Sequence, residues 1–80
     1  MNYKVWHSVD GGFKRIFLEE IVANNLVEAL DLSVKKHLDK HIHVVEDKPV
    51  AVGVSWDSSN SLSDENKIML HRIIENEKSN

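Results

Sequence analysis

The residue types best suited to chemistry in this chain are the imidazoles His37, His41 and His43. If residues 37–41 are helical, His37 and His41 stand four apart on one face, a spacing at which two imidazoles can grip Zn²⁺ or a similar ion. His43, just beyond such a helix, is placed to be a third ligand. Against this, Leu38 and Ile42 occupy the neighbouring apolar stripe, and no carboxylate completes a recognised ligand pattern. A plainer role is to complement the negative end of a helix dipole. The three histidines are the metal candidates, but the reading expects no bound metal and no cofactor.

Lys35, Lys36 and Lys40 share that stretch, making residues 35–43 the one basic segment. Charge clustered in this way suits an acidic protein surface or phosphates, or simply a solvated helix face. Other chemistry finds little purchase. Cysteine is absent, and no serine sits in a glycine-flanked elbow with a base nearby. Glu19 and Glu20 are adjacent on an expected strand, so they point to opposite faces and cannot act as a facing acid–base pair. Asp64-Glu65 is accounted for by a helix N-terminus. Gly11, Gly12 and Gly53 do not form a phosphate-cradling loop that leads into a helix. The expectation is that the chain is not an enzyme.

Eighty residues fit a single domain over 1–80 and leave no room for a second core. A chain this short buries only about 60% of the surface its unfolded form exposes, so self-association is one natural source of added stability. The net charge is −3, whereas duplex-binding domains gain most of their affinity by neutralising phosphates. The balance therefore counts against a nucleic-acid partner. No apolar run approaches the length of a bilayer span, and the N-terminus lacks the apolar stretch of a signal peptide. With no cysteine, a reducing cytoplasmic location is expected.

The elements follow from periodicity. Residues 3–9 alternate, with Tyr3, Val5, His7 and Val9 on one face and Lys4, Trp6 and Ser8 on the other. Asp10-Gly11-Gly12 then suits a hairpin turn. A second strand is expected over 13–22, with Ile16, Leu18 and Val22 on one side and Phe13, Phe17 and Ile21 on the other. Asn25 caps a helix over 26–41, with Glu28 completing a capping box and a stripe of Val27, Leu30, Val34, Leu38 and Ile42. A short strand is expected at 43–46. Another should alternate Val50, Val52, Val54 and Trp56, facing the helix, with Ala51, Gly53 and Ser55. After a polar loop at 57–61, a second helix begins at Ser63 with the stripe Met69, Leu70, Ile73 and Ile74. A tail from about 77 should fray. The predicted fold is α+β: an antiparallel sheet of three or four strands with two helices, in the order β-β-α-(β)-β-α.

The opening hairpin followed by Asn24-Asn25-Leu26-Val27-Glu28-Ala29-Leu30 is similar, over the first half of the chain, to HicB-like antitoxin domains. There a short hairpin leads into a helix with the same leucine, two residues, alanine, leucine pattern. The chain departs from that family in lacking its proline- and glycine-marked second strand and a DNA-binding extension after the last strand, so membership is not assigned. The resemblance implies an antitoxin-like or transcription-regulatory partner using residues 35–43, and that is the alternative reading of function.

The leading expectation rests on apolar surplus. Trp6, Phe13, Phe17 and Ile21 form an apolar patch on one sheet face, and one narrow helix is too little to cover it. Tryptophan is a frequent anchor of interfaces. The chain is therefore read as a non-enzymatic protein-interaction module, docking by a sheet face or edge on a protein partner or on itself as a homodimer. Such a module suits an accessory protein of a bacterium, phage or mobile element. A small metal-binding protein is the further alternative.

Overall fold

In the computed structural model, which describes residues 1–60 and 62–78 (the last by its backbone alone), four strands form one antiparallel sheet. The elements are β1 (Asn2–Val9), β2 (Lys14–Val22), α1 (Leu26–Lys36), β3 (His41–Glu46), β4 (Gly53–Asp57) and α2 (Asp64–Lys78), and the spatial order of strands is β2-β1-β3-β4. The α+β class and the order β-β-α-β-β-α agree with the sequence reading, and the strand held open there is formed as β3.

The hairpin joining β1 to β2 turns through three residues in the left-handed region, with φ of 53° at Asp10, 65° at Gly11 and 96° at Gly12. Glycine adopts these angles without the Cβ clash that penalises other residues. β2 and β3 both run antiparallel to β1, so they are parallel to each other. α1 joins them by crossing over β1, and its Leu26, Val27, Ala29, Leu30 and Val34 bury the face beneath. Tyr3, Val5, Ile42 and Val44 on that face are fully buried. Val52, Val54 and Trp56 pack against the same cluster, as their alternation predicts. α2 lies against α1 and adds Leu70 and Ile74 to the core.

Both helix starts read from sequence are present. Asn25 Oδ1 accepts the Glu28 N–H at 2.8 Å, and Ser63 Oγ accepts the Asn66 N–H at 3.2 Å. The end of α1 differs from expectation. The helix stops at Lys36 instead of near residue 41, His37 caps it with φ −118° and ψ 60°, and Asp39 turns left-handed at φ 66°. The cause lies far off in sequence. The buried Ser58 hydroxyl lies against the carbonyl oxygens of His37 and Lys40, and accepts the Lys40 N–H at 3.1 Å. Carbonyls that a longer helix would satisfy internally are thus taken by a loop. Leu38 consequently points to solvent, and Ile42 enters the core from β3.

Two smaller corrections follow. Val50 is exposed in a loop, because β4 begins only at Gly53. Met69 and Ile73 are about half exposed, so the α2 stripe narrows to Leu70 and Ile74. α2 runs to Lys78; residues 79–80 of the tail expected to fray, and residue 61 of the predicted polar loop, lie outside the described residues.

The pairing of β2 with β1 contains a register shift. Val5 opposes Glu19 but Trp6 opposes Phe17, so Leu18 is an extra residue on β2. A bulge of this kind reverses which side chains point to which face. Before it, Ile16 lies across from His7 on the helix side; after it, Ile21 lies across from Tyr3 on that same side. Ile21 is therefore in the core at 9% exposure and does not join Phe17, as strict alternation had suggested. Replacing Ile21 by Ala should destabilise the protein by about 2 kcal/mol or more, as cavity-forming changes in cores do. Phe17→Ala should cost about 1 kcal/mol, chiefly its ring contact with Trp6. Urea denaturation of the two variants measures the contrast, and equal losses would contradict the reversed alternation.

Candidate functional site

With α1 and α2 on one side, the other side of the sheet carries no element of the described chain. The strand registers order its side chains into rows. Glu20, Lys4, Val45 and Gly53 form one row; Phe17, Trp6, His43 and Ser55 form the next. Arg15 beside Ser8, and His41 beside Asp57, continue toward the hairpin. Val22 stands at the other end, 74% exposed.

The centre of this face is aromatic. The Trp6 and Phe17 rings meet edge to face with centroids 5.1 Å apart, and Phe17 remains 49% exposed. Phe13, in the hairpin turn, is 93% exposed. Of the predicted patch, then, Trp6 and Phe17 are brought together, Phe13 stands at the hairpin tip, and Ile21 is removed to the core.

Beside the aromatics the face becomes polar. The His43 Nδ1 and the Ser55 hydroxyl are 2.7 Å apart. The His43 ring lies across Gly53 so closely that a Cβ there would stand 2.9 Å from its Nε2. Glycine at 53 is thus a requirement of close approach. Burial first, and then the positive charges of Arg15 and His41, hold the His43 imidazole below its ordinary pKa. Asp57 is held below the carboxylate range by the Ser59 amide and hydroxyl, at 3.0 and 2.8 Å, and secondarily by His41.

The basic segment is not one surface. Lys35 pairs with Asp31 at 3.2 Å and Lys36 with Glu19 at 3.1 Å, both at the end of α1, while Lys40 lies in the following turn. His37 and His41 share no helix face, because the helix ends before either. His37 Nε2 is 2.6 Å from Glu19 Oε2 on the helix side of the sheet, whereas His41 and His43 lie on the opposite side. Burial tends to raise the Glu19 pKa, but the hydrogen bonds and charges of Lys36 and His37 outweigh it and the net shift is downward. Among the described residues, no three His, Asp or Glu side chains converge as metal ligands would. Sequence reasoning did not single out Arg15, Ser8 or Ser55 and saw Glu19 only as half of an adjacent pair, because their partners come from other strands or from the helix.

The His43 shift has a stability consequence. In the folded chain this imidazole takes its proton at lower pH than the ordinary 6.5, so the unfolded chain binds more protons in that interval. Stability should be fully present above about 6.5 and decline as pH falls toward the folded value. Urea unfolding between pH 7.5 and 5 should show this slope, and His43→Asn should reduce it. In Gly53→Ala the new methyl displaces the ring toward water, so the His43 midpoint read by NMR should rise toward its ordinary value; an unmoved midpoint would contradict the close packing described.

No protein-family model matches this chain, and no curated protein or solved structure proved similar to it.

Proposed function

We propose that this chain is a non-enzymatic protein-interaction module that docks through the open face of its sheet, in the first instance on a second copy of itself. The observation that supports the reading is the Trp6–Phe17 pair, held on the side of the sheet opposite both helices, with Val22 and Val45 on the same side. Apolar side chains grouped on a rigid sheet lose little conformational freedom on docking, and tryptophan is among the strongest interface anchors.

A second copy is favoured as occupant by the charges in the neighbouring row. Lys4 and Glu20 face each other across β1 and β2. A two-fold axis through the face can set Lys4 over Glu20 of the other copy and the reverse, which closes the pair isologously. Lys4 also lies 3.7 Å from Asp47, an exposed pair of small worth that does not prevent this exchange. The alternative, a regulator that uses residues 35–43 on phosphates or an acidic partner, has less support, because Lys35 and Lys36 already have carboxylate partners and His41 and His43 belong to a strand.

Sedimentation velocity over a wide concentration range tests the proposal. The native chain should shift from monomer to dimer, and a Trp6→Ser/Phe17→Ser variant should remain monomeric while keeping most of its thermal stability, since neither side chain belongs to the core. A native chain that stays monomeric up to millimolar concentration would overturn self-docking.

A further inference from the structure

Between the hairpin and the aromatic pair, the open face carries a cleft of about 300 Å³ lined by Ser8, Gly11, Gly12, Arg15, His41 and Ser55. Its walls come from all four strands and the turn. His43 adjoins it through Ser55, its ring 2.7 Å from that hydroxyl. We infer that this cleft is a binding site for a phosphoryl group, taken either as free phosphate or as the dianionic end of a phosphate monoester.

The donor chemistry carries the inference. Arg15 offers a planar fork of N–H donors matched to two oxygens of one anion. His41 supplies a ring N–H and, once protonated, a charge, while His43, which does not line the cleft, acts on it through Ser55. The Ser8 hydroxyl adds a further donor, and the Ser55 hydroxyl another when the His43 Nδ1–H donates to it and leaves its own proton free. Gly11 and Gly12 leave the rim open, since neither would have a heavy atom within 4 Å of a Cβ. No carboxylate is among the lining residues. Nearby, Asp57 is engaged by the Ser59 amide and hydroxyl, and Asp10 lies 4.0 Å from Lys14.

The arrangement suits a tetrahedral dianion better than a carboxylate. Donors approach from several strands, whereas a carboxylate presents two oxygens in one plane. The cleft is also roomier than a carboxylate group needs. Burial and the neighbouring positive charges hold the His43 ring below its ordinary pKa; an anion in the cleft would relieve the like-charge part of that penalty. The site does not depend on self-docking, because it is defined within one chain.

NMR of the histidine rings at neutral pH, with ionic strength held constant by sodium chloride, tests this. Adding inorganic phosphate should move the Cε1–H signals of His41 and His43 along a saturating curve, and leave His71 on α2 in place. Arg15→Gln should weaken the response by about tenfold or more, the usual worth of a charge-assisted contact. Backbone spectra of the variant establish that the exposed substitution preserves the fold. Glycerol phosphate in place of inorganic phosphate distinguishes the sources: tighter saturation assigns the site to a monoester, and saturation by inorganic phosphate alone assigns it to the free ion. Shifts that never saturate, or that His71 shares equally, or that survive unchanged in Arg15→Gln, would overturn the site.

Discussion

α1 has to cross β1 to connect two strands that flank it, and a crossover can lie on only one side of a sheet. That constraint decides the rest of the architecture. Burying Tyr3 and Val5 beneath α1 makes β1 the centre of the core. It also sets the side on which α2 packs, because Leu70 and Ile74 complete a cluster that α1 has already begun. In a short chain, hydrophobic area is too scarce to build a second layer on the opposite face. The helices are thus spent on one side, and the aromatic pair Trp6–Phe17 is left on the other by geometry before any question of function arises.

The parts of the fold visible in the sequence are those set by local periodicity or local hydrogen bonds. The alternation of residues 3–9, the Asp10-Gly11-Gly12 turn and the caps at Asn25 and Ser63 each depend on side chains within a few positions of one another, so each could be read directly. The end of α1 could not. Up to Lys36 the helix obeys its own stripe, but the next carbonyls are met by Ser58, distant in sequence, and that tertiary contact overrides the helical pattern of Leu38 and Ile42. A serine in a polar loop gives no hint that it will reach back to another loop.

The bulge at Leu18 sets a second limit, and it bears on the site itself. Alternation assumes an unbroken ladder, so one extra residue reverses every assignment beyond it. Phe17 remained with Trp6 because both lie on the hairpin side of the bulge, whereas Ile21 lies past it and was carried into the core. The polar cleft was hidden for a related reason. Ser8, Arg15, His41 and Ser55 come from four strands, and only the β2-β1-β3-β4 order brings them together. His41 and His43 stand near His37 in sequence, yet their proximity to Arg15 arises from sheet pairing.

Net charge is a poor guide to such a face. The chain is negative overall, but several of its carboxylates are engaged away from the cleft: Asp31 with Lys35 and Lys67, Glu19 with Lys36 and His37, and Glu46, buried at the edge of the core, with the Val52 amide and with Lys48 3.7 Å away. What an approaching anion meets is local potential, which falls off within about 10 Å at moderate ionic strength. Around the cleft stand Arg15 and the imidazoles of His41 and His43, with Asp57 held by Ser59 and Asp10 lying 4.0 Å from Lys14. The same scale explains why the lysines of residues 35–43 make the weaker surface: Lys35 and Lys36 face carboxylates placed beside them by the fold, while the cleft brings His41 to Arg15 from a distant part of the sequence.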